Sequence, residues 1–373
     1  MGWGPVLLGH ADPRVDDAIR RQLDHGVLLS LLTPLEIDVA IRIRSLVPCA
    51  EKVAFGKNGS DVLAAAVRIA RAKTGRNGIL IHGYHGFHDW YMASVAECEG
   101  IPDAIRPLVR PFAYNDLAGV QDLFERFGDK IAAVVMEPCN VTLPEPGFLE
   151  GIRKLCTTND SLLIFDEIIT SFRLAKGGAQ EKFRVIPDLA CIGKGLANGM
   201  PLSALVGKYD PMSVLERVGY GLTYRGESLS LAAAKACLDV YAETDLPGQL
   251  ERTGARIRRA FAEDAARLGV VGGLYGPEAR MSFSFSPAGG ITPIGLQTLF
   301  VQECLKHGVL TNGNLLPSQS HDDAAVDQSI EAFSKSLAVL ARAIAERDLE
   351  TYLQIPALQI FYEDDRLTED TAC

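Results

Sequence analysis

The sequence predicts an α/β protein in which a large domain with a mainly parallel sheet is followed by a smaller α+β domain. In the middle of the chain, short and wholly apolar runs alternate with amphipathic segments. This alternation is typical of parallel strands that are buried on both faces and connected by helices. The pattern changes near residue 245, and 373 residues are enough for more than one domain.

Composition narrows the class of protein further. The chain is 47% hydrophobic and 23% charged, as globular proteins are, and its net charge of −10 disfavours nucleic acid as a partner. No apolar run approaches the roughly 18 to 20 residues that span a bilayer, and the first residues do not resemble an export signal. The eight cysteines are scattered, without a C-x-x-C pair. We therefore expect a cytoplasmic protein with reduced thiols and no membrane partner.

The predicted elements follow in chain order. Strands are expected at residues 79–81, 131–136, 161–165, 189–192 and 202–206, with helices at 62–72, 117–127 and 148–157. Later come helices at 250–268, 296–307 and 325–347 and a half-exposed strand at 281–285. These elements predict an N-terminal segment at residues 1–50, a ligand-binding large domain at 51–245 and a small domain at 246–373.

Residues that could take part in catalysis or ligand binding follow four of the predicted strands. Tyr84 and His85 follow the first, Glu137 the second, Asp166 the third and Lys194 the fourth. Because ligands of open α/β sheets bind at the carboxyl ends of the strands, these side chains are expected to converge on one edge. Each of them alone is more simply interpreted as a solvated loop residue, but four together favour a site.

Lys194 lies between Gly193 and Gly195, which leave room for a planar ligand. In a partly desolvated site a lysine has a lowered pKa and acts as a nucleophile, whereas the simpler alternative is a surface lysine in a turn. A lysine, a buried acid and an aromatic platform together are what pyridoxal phosphate (PLP) chemistry requires.

Two further motifs have functional and structural interpretations. Gly59 and Ser60 precede an apolar helix, where Ser60 is expected to be the N-cap and free N–H groups would bind a phosphate. The histidines at 82, 85 and 88 could suggest a metal site, but the intervening glycines favour a loop, and no metal is predicted.

The chain resembles the fold-type I PLP enzymes, and specifically the class III aminotransferases, most closely the branch that holds glutamate-1-semialdehyde 2,1-aminomutase. The resemblance spans about residues 4–333 and includes a block from Leu163 to Arg173, similar to the family's DEV-x-TGFR block. The 28 residues that separate Asp166 from Lys194 also match the family. Further blocks match in order: Asn58-Gly59-Ser60-Asp61, Gly83-Tyr84-His85-Gly86, Glu137-Pro138, Gly193-Lys194-Gly195 and Leu222-Thr223-Tyr224-Arg225-Gly226.

The resemblance implies roles for individual residues and a PLP-binding function for the large domain. It implies that Lys194 forms an imine with the cofactor and then moves a proton, that Asp166 pairs with the pyridine nitrogen, and that Glu137 lies near the phenolic oxygen and the substrate. The cofactor-binding set is completed by residues that pack on the ring or hold the phosphate: Gly59, Ser60, Tyr84, His85, Ile168 and Thr223. Thr223 would reach the neighbouring subunit's phosphate, so a homodimer with shared sites is implied.

The expected activity is amino transfer between a small amine or amino acid and a carbonyl acceptor. Arg173 or Arg225 could clamp a substrate carboxylate, or either could form a structural ion pair. Gly313 stands where the aminomutase branch carries an acidic residue, which favours a transaminase. An aminomutase or racemase on the same scaffold, or a binding protein without catalysis, are the alternatives.

Overall fold

The computed structural model describes residues 3–29, 31–95, 98–354 and 356. In this part of the chain there are twelve α-helices and ten strands. The helices are α1 (Pro13–Leu23), α2 (Pro34–Leu46), α3 (Gly59–Thr74), α4 (Asp89–Met92), α5 (Leu117–Phe127), α6 (Phe148–Thr158), α7 (Ala179–Lys182), α8 (Tyr209–Met212), α9 (Ser228–Glu243), α10 (Leu246–Leu268), α11 (Pro293–Lys306) and α12 (Asp323–Glu346). The strands are β1 (Lys52–Gly56), β2 (Gly78–His82), β3 (Val109–Pro111), β4 (Ile131–Met136), β5 (Leu162–Glu167), β6 (Leu189–Ile192), β7 (Ser203–Gly207), β8 (Gly272–Tyr275), β9 (Met281–Phe285) and β10 (Asn314–Leu315).

Seven strands form the large sheet, in the order β1-β7-β6-β5-β4-β2-β3. The pairs from β3 to β6 are parallel, and β4 is buried along its whole length, as its unbroken apolar run predicts. The expectation that residues 202–206 also run parallel is wrong, because β7 is antiparallel to both β6 and β1. The connection from β6 to β7 spans only residues 193–202, whereas a parallel neighbour needs a crossover of a dozen or more residues.

The small sheet is antiparallel, in the order β10-β9-β8. Its core is aromatic, with the rings of Phe261, Phe283, Phe300 and Phe333 in mutual contact between the sheet and the three long helices α10, α11 and α12. Along β9, buried residues alternate with more exposed ones, which confirms the half-exposed strand predicted at 281–285. The boundary predicted near residue 245 falls at the short connection between α9 and α10.

Residues 4–9, here called the N-terminal strap, run across the turn that follows β6. The side chain of Asn198 accepts a hydrogen bond from the N–H of Leu8 and donates one to the carbonyl of Gly9, both at 2.9 Å. The carbonyl of Leu7 accepts from the N–H of Gln319 at 2.8 Å, so the strap also contacts the segment that follows β10. The strap therefore supports this turn of the large sheet and is itself held by the segment after β10.

Among the described residues, no helix is long and apolar enough to cross a membrane. The seven cysteines in this part of the chain are free thiols, and six of them are buried.

Candidate active site

Asp166 and His85 form a buried pair at the carboxyl edge of the large sheet. Asp166 is the fifth residue of β5, and His85 lies in the loop after β2. The Nδ1 atom of His85 lies 2.9 Å from Oδ2 of Asp166, and Oδ1 accepts from the N–H of Ile168 at 3.1 Å. The other ring nitrogen of His85 faces the carbonyl of His82 at 2.9 Å and must carry a proton, because a carbonyl only accepts. These bonds fix the orientation of the Asp166 carboxylate.

Lys194 follows β6 and begins a short 3₁₀ turn, Lys194–Ala197. Its φ of 42° lies in the left-handed region, which a lysine rarely adopts and which tertiary contacts must hold. One such contact is the hydroxyl of the buried Tyr241, which donates to the carbonyl of Gly195 at 2.6 Å. Within the described ranges, the Lys194 amino group makes neither a hydrogen bond nor an ion pair.

The electrostatics around Lys194 suit a nucleophile. Burial lowers its pKa to about 8, against the opposing effect of the Asp166 and Glu137 carboxylates. The nearby guanidinium groups of Arg280 and Arg173 act in the same direction as burial. Near neutral pH a useful fraction of this amine is therefore uncharged and able to attack a carbonyl.

Glu137 lies directly after β4 and is buried beside Lys194. Its Oε1 accepts from the N–H of Tyr84 at 3.3 Å, and its Oε2 lies 2.8 Å from Nη1 of Arg280. Sequence reasoning missed Arg280. It lies 143 positions from Glu137 and follows no strand of the large sheet, so the pattern that found the other residues could not find it.

Ile168 lies between two glycines, each so close that an added side chain would press on it. A Cβ atom at Gly193 would lie 3.0 Å from Cδ1 of Ile168, and one at Gly59 would lie 3.2 Å from it. The structure thus brings Ile168, Gly59 and the neighbour of Lys194 together. Tyr84 is half-exposed, and its ring meets the edge of Tyr91 at 5.6 Å.

The start of α3 differs from its prediction. The helix begins at Gly59, so Ser60 lies in the first turn and is not the N-cap. The carboxylate of Asp61 accepts from the N–H groups of Lys57 and Asn58, at 3.2 and 2.8 Å, which stabilises the earlier start. The Ser60 hydroxyl accepts from the N–H of Phe87 at 3.1 Å and so joins α3 to the loop that carries Tyr84.

Among the described residues, Arg173, Thr223 and Arg225 make no hydrogen bond or ion pair with Lys194, Asp166 or Glu137. Arg173 is fully buried, and its terminal N–H groups donate to the carbonyls of Gly4, Ala279 and Pro317 at 2.8 to 3.2 Å. These bonds favour a structural role over the carboxylate clamp, and within the described ranges Arg173 forms no ion pair. Thr223 and Arg225 are exposed in the loop before α9.

The family model for class III aminotransferases matches residues 1–337. The chain belongs to this family. It is 38% identical over 286 residues to a protein from Syntrophobacter fumaroxidans named glutamate-1-semialdehyde 2,1-aminomutase, a stretch that is 72% of this chain and 66% of that relative. It is 32% identical over 359 residues to a 3-aminobutyryl-CoA aminotransferase from Cloacimonas acidaminovorans, covering 92% and 84% of the two chains.

A solved structure agrees with the fold. The FumI protein of Sphingopyxis sp. MTA144, described as a PLP internal aldimine form, superposes with a TM-score of 0.87 at 28% identity, covering 92% of this chain and 84% of that one. This class III protein is therefore a PLP-dependent enzyme with the fold-type I architecture.

The residues of this class III enzyme fit the cofactor. Lys194 offers an amine without a partner among the described residues, and Asp166 offers a fixed, buried carboxylate. Gly59 and Gly193 both lie against the side chain of Ile168, which would offer a ring an apolar surface. The histidines at 82 and 85 are engaged elsewhere, and in the described ranges no cluster of His, Cys, Asp or Glu is arranged to hold a metal.

Proposed function

We propose that this class III enzyme is a transaminase that moves an amino group from a small amine or amino acid to a carbonyl acceptor in two half-reactions. The observation that carries the proposal is the convergence of Lys194, Asp166 and Glu137 from three parallel strands on one edge of the sheet. The bound cofactor supplies a conjugated ring that accepts the electron pair left when a substrate C–H bond breaks.

Each residue has a proposed task. Lys194 Nζ holds the cofactor covalently and, once released, takes the proton from the substrate carbon. The Asp166 carboxylate, oriented by His85, keeps the pyridine nitrogen protonated. Glu137 lies toward the substrate side, where Arg280 accompanies it.

The remaining residues of the cofactor-binding set are proposed to contact the ring and the phosphate of PLP. Tyr84 and Ile168 cover the two ring faces, and Gly59 and Ser60 hold the phosphate at the start of α3, where helical N–H groups favour an anion. Arg225 is the proposed partner of a substrate carboxylate. Its side chain is exposed, and its Nη1 donates to the carbonyl of Tyr220.

We also propose a homodimer in which Thr223 reaches the partner subunit's phosphate. Its support is an apolar surface on residues 23–29 and 31–41, where eight large apolar side chains are exposed in the single chain and a second copy could cover them. This surface, here called the apolar face, consists of Leu23, Val27, Leu28, Leu29, Leu31, Leu32, Ile37 and Ile41. The free thiols support a cytoplasmic location.

The second candidate is an intramolecular aminomutase, because the Syntrophobacter relative is named as one. Gly313 argues against it. Its φ is 92°, and a side chain there would meet the amide of Gln297, so the acidic residue of the aminomutase branch does not fit here.

The experiment is a test of acceptor dependence. The PLP-loaded enzyme is mixed with a panel of amines, with and without a keto acid. We expect one equivalent of product without the keto acid and continuing turnover with it. Continuing turnover of glutamate-1-semialdehyde alone would establish the aminomutase instead.

A further inference from the structure

Arg280 is the last residue before β9 of the small sheet, yet its guanidinium reaches the end of β4 in the large sheet. Nη1 lies 2.8 Å from Oε2 of Glu137 and 3.0 Å from the carbonyl oxygen of Cys139. Nη2 donates to Oδ1 of Asn140 at 2.8 Å. Three acceptors on four consecutive residues therefore bind one arginine.

We propose that Arg280 is a positioning residue of the active site. From its place before β9 of the small sheet, it fixes the Glu137 carboxylate near Lys194. The inference rests on the proposed role of Glu137. It makes the geometry of the site depend on contact between the two sheets.

The burial of the pair supports this assignment. The side chain of Arg280 is 11% exposed and that of Glu137 is 8% exposed. Removing one member of a buried ion pair is costly because the other charge is left without a partner. A pair so enclosed is rigid, and the Glu137 carboxylate cannot turn away while Arg280 is in place.

The backbone next to Arg280 is anchored as well. The carbonyl of Ala279 accepts a hydrogen bond from Nη1 of Arg173 at 2.8 Å, and Arg173 belongs to the segment after β5. Arg173 thus reaches from the large sheet to the carbonyl of Ala279, and the next residue, Arg280, reaches back to the end of β4. This double link fixes where the Arg280 side chain begins and where it ends.

The charge environment of Glu137 agrees with the geometry. Burial alone raises the pKa of Glu137, but the charge and hydrogen bond of Arg280 outweigh it and bring the pKa below its usual range, with help from His85. The other titratable groups that interact with Glu137 are Lys194, Tyr114 and Cys139. Arg280 supplies the largest share of the stabilising charge.

The first measurement is the pH titration of the visible absorbance of the PLP-loaded enzyme, which needs no turnover. In Arg280→Met the unpaired Glu137 carboxylate favours a proton on Lys194 nitrogen, so we expect the midpoint to rise by about one pH unit. The matched control is Arg258→Met. Arg258 pairs with Glu278 at 2.6 Å within the same part of the chain, and its removal should leave the midpoint unchanged.

The second measurement is thermal unfolding of the loaded enzyme between pH 5 and pH 8. In the wild type the pKa of Glu137 is lowered on folding, so its pair stabilises the fold fully throughout this range and loses its effect only below the ordinary carboxyl pKa. In Arg280→Met the sign reverses, because an unpaired buried carboxylate destabilises the fold at pH 8 and recovers when protonated. We expect Glu137→Gln combined with Arg280→Met to abolish this pH dependence.

These results separate positioning from packing. An unchanged absorbance midpoint, together with a double variant no more stable at pH 8 than Arg280→Met, would overturn the proposal.

If Arg280→Met does not fold, the Arg280→Lys variant decides between the two roles. It keeps the charge but loses the fork, so we expect the wild-type midpoint with about tenfold slower turnover. A shifted midpoint and a wild-type rate in Arg280→Lys would also overturn it. Failure of the transaminase proposal would alter none of the spectroscopic outcomes.

Discussion

The Nδ1 atom of His85 lies 2.9 Å from Oδ2 of Asp166, and both side chains are almost completely buried. The other nitrogen of His85 donates to the carbonyl of His82, so the imidazole is held between this carbonyl and the Asp166 carboxylate. The histidine therefore sets where the negative charge of Asp166 points, and with it where a pyridine nitrogen can bind.

Replacing His85 with Phe should weaken catalysis while leaving the fold intact. The ring volume is kept, but the Asp166 carboxylate loses its side-chain partner. We expect kcat/KM to fall about tenfold to 100-fold, the equivalent of roughly 1–3 kcal/mol for an unpaired buried group. The control is His88→Phe in the same region, expected to be near wild type. Equal losses in both variants would count against the specific role of His85.

The lowered pKa of Lys194 predicts how the cofactor-free enzyme takes up PLP. Attack requires the neutral amine, and a pKa of about 8 means that the neutral fraction rises with pH until that point. The rate of covalent attachment, followed by absorbance, should rise about tenfold per pH unit below pH 8 and level off above it. Lys194→Met should show no attachment. A rate that keeps rising to pH 10 would contradict the lowered pKa.

The close approach of Gly193 to Ile168 predicts a paired effect. In Gly193→Ala the new methyl group would lie 3.0 Å from Cδ1 of Ile168 and push that side chain toward the ring site. We expect PLP to bind about tenfold more weakly, as measured by equilibrium dialysis. Adding Ile168→Ala should restore part of the affinity by making room. An unimproved double variant would show that the glycine is needed for another reason.

The proposed shared site can be tested by mixing inactive chains. Lys194→Ala and Thr223→Val each damage one contribution to a site. If Thr223 serves the partner subunit, random reassociation of the two variants should give intact sites in about a quarter of all positions. Activity that appears only after unfolding and refolding together is the expected result.

A second variant checks the interface itself. Leu31 and Leu32 are 82% and 69% exposed in the single chain. Changing both to Glu should yield monomers in analytical ultracentrifugation, because charge is costly in an apolar interface. The control is Tyr275→Glu, an exposed aromatic residue outside the apolar face. A dimer that persists in the leucine variant would place the interface elsewhere.

Much of the large sheet could be predicted because a strand that is buried on both faces appears in the sequence as an unbroken run of apolar residues. The runs at 131–136 and 189–192 are strands with the predicted bounds, and the edge they share collects Glu137, Asp166 and Lys194. Strand direction leaves no such mark. The run at 202–206 is equally apolar, but the short connection before it forces β7 to turn back.

The parts of the site that escaped prediction depend on tertiary contact. Arg280 acts across 143 positions of sequence, and nothing near residue 280 indicates Glu137. Arg173 lies in a motif that matches the family, but its use on three carbonyls depends on where the strap and the small sheet lie. Ser60 was misassigned as the N-cap because Asp61 stabilises an earlier helix start.

The strap has a consequence for how the enzyme is made. The backbone of Leu8 and Gly9 is hydrogen-bonded to the side chain of Asn198, four residues after Lys194. The carbonyl of Leu7 is in turn hydrogen-bonded to the N–H of Gln319. Gln319 must therefore be synthesised before the strap has all of these contacts. A chain that ends before residue 319 would keep the bonds to Asn198 but lose the support of Leu7, so we expect its lysine turn to be held less firmly.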